Sequence, residues 1–430
     1  MAFDTSVSGI LAASSNLGII GNNIANGSTV GFKSSTGEFK DIYSQSLSGS
    51  SIGQGVALTS IKQDFSQGNV TFTNNSLDLA INGEGFFALD DGGVQNYSRA
   101  GAFRLDQDGF IVNAAGLKLQ GFPTDIDGTV TGEAGPLTLG NGLVPPNGTT
   151  VATLEANVDA RALPPQAWNP DGAGGGLNAF SDPQVLPNTA QYNSATTLTI
   201  YDGLGNPHSL SLYLIKTDAN NTWEAKVAID GVEIDPVDAA GANVVANIPF
   251  QADGTIAEVN KPLTINIAGW QPLNATGLEN GAALQNFSID VSSFSQYGAP
   301  FAVGAIQQDG YSTGQLRGLD IDDSGVLFTR YSNGQSRQQG LVAVANFSNP
   351  NGLVPIGDTA FAESFSSGTP ILTAPGLSGT GTLQSGALES SNVEITAQLV
   401  AMMVAQRNFQ SNAQMIQTQD AVTQTIINLR

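Results

Sequence analysis

Residues Ser391 to Gln417 read SNVEITAQLVAMMVAQRNFQSNAQMIQ, and within them Ile395, Leu399, Met402, Phe409, Ala413 and Ile416 follow steps of 4, 3, 7, 4 and 3. Apolar residues on that spacing form one stripe along a helix, the pattern of a heptad seam. Val422, Ile426 and Leu429 continue the stripe after a one-residue slip, which moves a seam sideways around the helix. Ser391 followed by Glu394 has the form of a capping box, in which two side chains satisfy backbone amides left free at a helix start. The pattern therefore predicts a helix from near Asn392 to Arg430. The opposite end repeats the design: Phe3, Val7, Ile10, Leu17 and Ile24 keep heptad spacing, with Ser14 and Gly21 at the skipped positions. More than three hundred residues apart, the two ends read as two halves of one helical bundle. An ordinary amphipathic helix packed on a globular body would show the same stripe. The outer faces separate the two readings, because Gln406, Asn408, Gln410, Ser411, Asn412, Gln414 and Gln417 offer almost none of the Glu/Lys pairs that solubilise a lone surface helix. A helix of roughly 20 to 25 residues is marginal by itself, so both ends are expected to gain order by packing on copies of the chain.

Composition excludes several functions. With 15 basic and 37 acidic residues the net charge is -22, and no Lys/Arg cluster supplies the basic footprint that nucleic acid requires. Only 12% of residues are charged while 51 of 430 are Gly, so the surface is built from uncharged polar groups, which suits closely packed identical subunits. The chain has no Cys, which removes disulfides, thiol nucleophiles and thiolate metal sites. Its one His, His208, follows Pro207 in an apparent turn and reads as structural rather than as a member of a Ser-His-Asp triad. The first basic residue is Lys33, after a stretch broken by Ser, Asn and Gly, so no cleavable secretory signal is expected. The longest apolar run, Leu399 to Ala405, is too short to span a bilayer.

Between the ends the apolar period changes to two. Leu77–Ile81 and Gly85–Leu89 flank Asn82-Gly83, a hairpin signal. Phe103–Leu105 and Phe110–Val112 flank Asp106-Gln107-Asp108-Gly109, and Leu319–Ile321 and Val326–Phe328 flank Asp322-Asp323-Ser324-Gly325, so two distant segments share one design. That is the mark of a β domain split by an insertion. The insertion carries its own meander, Thr196–Tyr201, His208–Lys216 and Thr222–Asp230. A Pro/Gly-rich passage, Leu163 to Gly176, leads into it, and the polar stretch Ser44 to Gly55 reads as a linker leaving the first helix.

Candidate chemical sites fail on spacing. Asp320, Asp322 and Gly325 mimic half of a calcium loop, but Tyr331 stands where a bidentate Glu is required. Asp106 to Gly109 is followed by Asn113 and Ala114 with no carboxylate at the needed place, and Gly203-Leu204-Gly205 precedes a strand rather than a phosphate-cradling helix. No pair of acids is singled out for glycoside hydrolysis. Neither a catalytic residue, nor a cofactor, nor a metal site is expected.

Four separated motifs point to one family. Asn22 to Lys33 (NNIANGSTVGFK, with Asn22, Asn23, Ala25, Asn26, Thr29, Gly31, Phe32 and Lys33 as its marked positions) resembles the signature that closes the first helix of bacterial flagellar rod and hook proteins. Leu77 to Phe87 (LDLAINGEGFF), Tyr97 to Phe103 (YSRAGAF) and Gly386 to Asn412 are similar to that family's central and C-terminal motifs, in the same order. Tyr192 to Trp223, containing TIYDGLGNPH, and Asn346 to Leu353 (NFSNPNGL) resemble the large insertion that sets the hook branch apart from the shorter rod branch. The resemblance is weakest from Val232 to Ser293.

The resemblance implies a structural subunit rather than an enzyme: an extracellular tubular polymer of the flagellum that joins rod to filament and transmits motor torque while bending. A distal rod protein is the alternative within the family, and a secreted glycan-active β protein the remote one. The fold implied is multidomain. Residues 1–32 and 388–430 form a paired, helical coiled-coil terminal domain; 33–70 a linker region; 71–157 and 302–387 a split β domain; 158–301 an inserted outer β domain. Implied partners are the chain itself in a helical homopolymer, the distal rod protein, the hook cap protein, the hook-filament junction proteins and the flagellar type III export apparatus, with no nucleic acid and no membrane insertion. Phe39 to Tyr43 (FKDIY) matches the family's short export motif of a Phe and a hydrophobe four residues on.

Overall fold

The computed structural model describes residues 2–44, 52–125, 129–140, 142–165, 189–238, 241–274 and 276–428. By packing the chain divides into two units: Met1–Gly142 with Arg317–Arg330 and Gln335–Arg430, and Leu143–Leu316 with Tyr331–Gly334. Its first unit holds both helices, α1 (Ala2–Ala25) and α2 (Ile395–Asn428). They run antiparallel: the Asn23 Nδ2 group donates to Gln398 Oε1, and Gly9 lies against the Asn412 side chain. Each helix thus finds one neighbour within its own chain, as the pairing of the two ends implies.

Residues 33–70, read as a linker region, instead contain a long antiparallel hairpin, β1 (Ser35–Ser44) and β2 (Ile52–Gln63), in register from Ser35↔Gln63 to Ser44↔Ile52. The part of the expected Ser44–Gly55 linker at 45–51, and the passage from 166 onward, lie outside the described residues. Pattern reading misses this hairpin because no residue from Thr36 to Tyr43 is buried, so no apolar/polar alternation marks it. It packs on α1 through Gly37, beside Ile19, and Gly55, beside Ser8.

The β body of this unit is organised on the strand Phe86–Asp91. Phe87 and Leu89 point into a core with Leu79, Ile111 and Leu327, whereas Phe86 and Ala88 join a second cluster with Tyr97, Phe347 and Phe361. Side chains alternate across a strand, so one buried on both faces must be central, and it pairs with Val94–Ser98, Lys118–Pro123 and Val344–Asn346. The hairpin expected at Asn82-Gly83 does not form. Leu79–Asn82 pairs instead with Thr382–Ser385, and Gly83 and Gly85, both at φ +120°, turn the chain from one sheet into the other. The hairpins at Asp106 and Asp322 do form, each aspartate accepting hydrogen bonds from the turn amides that follow it.

In the second unit the meander is present as Ser194–Tyr201, Pro207–Lys216 and Thr222–Ile229, paired antiparallel in sequence order. A second sheet joins Thr264–Trp270, Gln285–Asp290, Val151–Asp159 and Ser295–Tyr297, with Ala302–Gln308 also on Val151–Asp159. Both sheets contribute to one core, in which Leu210, Leu212 and Trp223 meet Leu154, Ile267 and Phe287, the construction of a sandwich. From the sequence, residues 151–157 of Val151–Asp159 and all of Ala302–Gln308 are expected in the split β domain. Their packing places them here, because Ala152, Leu154, Ala156 and Val158 all enter this core.

Candidate functional site

After α1 the chain makes a compact turn built by the Asn22–Lys33 motif. Asn26 Nδ2 donates to the Asn22 carbonyl, Thr29 Oγ1 donates to Asn26 Oδ1, and Gly31 adopts φ +68°. Only glycine fits there, since a Cβ on Gly31 would stand 2.3 Å from the Ala100 nitrogen. Asn23, buried, exchanges two hydrogen bonds with the Ser35 backbone at 2.8 and 2.9 Å, which fixes the start of β1 against α1. Asn22 and Ala25 are exposed, and Val30 and Phe32 are half-buried.

Lys33 then turns inward. Its Nζ donates to Glu389 Oε1 at 2.6 Å and to the Ser66 carbonyl at 2.7 Å. Glu389 lies on the strand Ala387–Glu389, which pairs with β3 (Val70–Phe72) just before α2. Its carboxylate also accepts from the Gly68 N–H at 2.7 Å and from Arg99 at 3.3 Å, and its carbonyl accepts from the Gly31 N–H. Asn392 completes the knot, accepting from the Ser34 N–H and donating to the carbonyls of Asp64 and Ser66. Four segments distant in sequence thus converge on one carboxylate.

Lys33, Arg99 and Glu389 are all at most 2% exposed. Burial pulls Lys33 below the usual lysine value, and the hydrogen bond and charge of Glu389 only partly restore it. Arg99 is likewise lowered by burial; its Nε finds no hydrogen-bond partner, and its guanidinium lies 5.3 Å from the Phe86 ring centroid. Two buried cations therefore share one carboxylate. In the sequence Lys33 stands out as a motif position and as the first basic residue, whereas nothing local marks Glu389 or Arg99 as its partners.

Within one chain, the line along which the two helices meet is not the apolar seam. On α1 the buried positions Ser6, Ala13 and Ile20 recur every seven residues, one position before Val7, Ser14 and Gly21, and Ile19 and Asn23 are buried beside them. Val7, Ile10, Leu17 and Ile24 are half-buried at the edge of this line, and Phe3 is exposed. On α2 the covered face runs through Gln398, Met402, Ala405, Asn412 and Ile416, with Ala413 beside it, while Ile395, Leu399, Phe409 and Val422 are exposed. Ile426 is helical, and Leu429 lies outside the described residues. The cause is chemical: small and amide residues are interspersed along the contact line and allow close approach, as at Gly9 with Asn412, and a search for apolar seams passes over them. The first turns of α2 consequently carry a second apolar face, Leu399, Val400, Met403 and Val404, roughly opposite the first and about half exposed to water.

Ser391 accepts from the Val393 N–H rather than closing a capping box with Glu394, and α2 starts at Ile395, three residues later than predicted. Phe39 and Tyr43, which match the export motif in spacing, lie on β1, both exposed. His208 bridges Asp230 (Nδ1, 2.6 Å) and the fully buried Asp202 (Nε2, 3.5 Å). Burial alone would raise Asp202, but hydrogen bonds from Asn206, Asn280 and His208 outweigh it and hold the carboxyl below its usual range. That network fastens the Asp202–Asn206 turn. Among the described residues no group of His, Asp and Glu side chains could hold a metal ion, and no helix is long and apolar enough to cross a membrane.

Family models match in the order that the motifs suggest: the flagella basal body rod protein model over residues 3–33, the flagellar hook protein FlgE/F/G D1 domain over 80–158, the flagellar basal body protein FlaE D2 domain over 177–311 and the flagellar basal body rod FlgEFG protein C-terminal model over 384–429. Along its whole length the chain is 38% identical to the flagellar hook protein FlgE of Escherichia coli (strain K12), which it covers completely. The chain belongs to the flagellar hook protein family. It is also 32% identical to FlgE of Borreliella burgdorferi, over 99% of this chain and 98% of that one. The crystal structure of Helicobacter pylori flagellar hook protein FlgE2 shares the fold, with a TM-score of 0.51 and 14% identity over 74% of this chain and 100% of that chain. This protein is thus a structural subunit of the bacterial flagellar hook, located in the flagellum outside the cell, in a family whose members are structural rather than enzymes. Membership also implies self-polymerisation.

Proposed function

We propose that the hook subunit polymerises through its paired terminal helices, packed with those of neighbouring copies as a coiled-coil inner wall of a tube, and that the tube acts as a flexible universal joint between rod and filament. The observation that carries this reading is the second apolar face of α2, which its own chain leaves uncovered. Contiguous exposed apolar surface of this kind marks an interaction site, and a homopolymer offers another copy of the same arms as the occupant. With Phe3, Ile395, Leu399, Phe409 and Val422 all exposed, these predicted seam residues become contacts between copies.

In this reading the second unit supplies contacts that slide as the joint bends. The seams stay fixed under torque, since burying each Leu or Phe is worth roughly 1.5–3 kcal/mol. Phe39 to Tyr43 would be read by the export apparatus before the hairpin forms, and the ends of the tube would meet the distal rod, cap and junction proteins. Deleting residues 1–30 and 390–430 tests the core of this reading: the shortened chain should be a soluble folded monomer while the full chain forms tubes. Tubes formed without the arms would overturn it.

A further inference from the structure

We infer that the Lys33–Glu389–Arg99 cluster is a conditional latch, by which the N-terminal arm docks on the β body only when the C-terminal segment is also in place. Lys33 and Arg99 approach one another in the interior, and the group that reconciles them, Glu389, comes from 356 residues further along the chain than Lys33. A cation taken from water into an apolar interior is expensive unless paired. Without Glu389 the interior offers Lys33 the Ser66 carbonyl, and the remaining charges acting on the pair are Asp64 near Lys33 and Glu84 near Arg99. Released into solvent, Lys33 regains its hydration at the cost of only a few local hydrogen bonds. Undocking of the 31–35 segment is then the favoured response.

Shape reinforces charge. Gly68 packs so closely on the Ser390 carbonyl that a Cβ there would lie 2.0 Å from it, and the Gly31 N–H is satisfied by the Glu389 carbonyl at 2.8 Å. The C-terminal segment is therefore a wall of the pocket that the N-terminal segment enters. A copy that lacks it, through incomplete synthesis or cleavage, cannot present the α1–α2 pair. This last consequence rests on the polymerisation reading above, whereas the latch itself is a property of one chain.

The test is hydrogen exchange on the full chain, dilute and unassembled. In Glu389→Gln, which keeps shape and removes charge, amides of Gly31–Ser35 and Ser66–Val70 should exchange at least tenfold faster, with those of the central strand Phe86–Asp91 unchanged. Adding Lys33→Gln to that variant should slow junction exchange again by at least threefold, because the cluster then holds one buried cation, Arg99, instead of two and returns to the net charge of the parent. Unchanged junction exchange in Glu389→Gln, an equal acceleration in Phe86–Asp91, or no recovery in the double variant would each overturn the latch. Leu399→Asp should leave junction exchange at the wild-type rate, so the latch and the polymerisation reading fail independently.

Discussion

Leu399→Asp probes the uncovered face of α2. Leu399, Val400, Met403 and Val404 are 46%, 55%, 57% and 48% exposed, so each has about half its surface left to bury. Complete burial of such side chains is worth roughly 1.5–3 kcal/mol, and covering the remaining half about 1 kcal/mol per residue, or about 4 kcal/mol for the patch. Aspartate at 399 forfeits its own share and forces a carboxylate into the contact, which costs at least about 2 kcal/mol more. A total near 3 kcal/mol, at 1.4 kcal/mol per decade, raises the critical concentration for assembly by at least about a hundredfold. Sedimentation and electron microscopy across a concentration series measure it directly. Thermal unfolding should stay within about 0.5 kcal/mol of the parent, as for other exposed positions. Gln414→Asp is the control, adding the same charge on the same side of the helix beyond the apolar patch, and should shift assembly less than about threefold. Assembly of Leu399→Asp at the parental concentration, or equal damage from Gln414→Asp, would refute the reasoning.

Two further outcomes follow from local geometry. Gly31→Ala places a side chain at positive φ and against the Ala100 backbone, so it should cost at least about 2 kcal/mol in chemical unfolding, while Gly18→Ala, on an open helical face, should stabilise by about 0.5–1 kcal/mol. In the second unit, Asp202 titrates below the usual carboxylate range when folded, so it adds stability that is complete above about pH 4–5 and lost as pH falls through its lowered value. Asp202→Asn should cost about 1–3 kcal/mol at neutral pH by mismatching buried donors and should flatten the acid limb of a melting-temperature profile.

What the sequence disclosed was local. Both terminal helices, the 194–229 meander and the Asp106 and Asp322 turns are specified by residues within a dozen positions of each other, where periodicity and turn chemistry speak plainly. Strand pairings across the chain were not legible: Leu79–Asn82 looked like half of a hairpin and took Thr382–Ser385 as its partner instead. The helix contact line was missed because Gly9, Asn23, Gln398 and Asn412 carry no hydrophobic signal, although they permit the closest approach. For the junction one clue was available. Lys33 is the first basic residue of the chain and follows Val30-Gly31-Phe32, a setting that buries an ammonium, but nothing local could name Glu389 as its counter-ion.

Because the chain contains no cysteine, Met403→Cys offers one thiol at the centre of the uncovered face, and its reaction with a water-soluble maleimide before and after assembly reports burial there. Polymerisation through the arms predicts at least a tenfold fall in labelling rate on assembly, with a thiol at the exposed Val259 of the second unit as the reference for surface that stays open. Equal reactivity of Met403→Cys in free subunit and polymer would contradict the account.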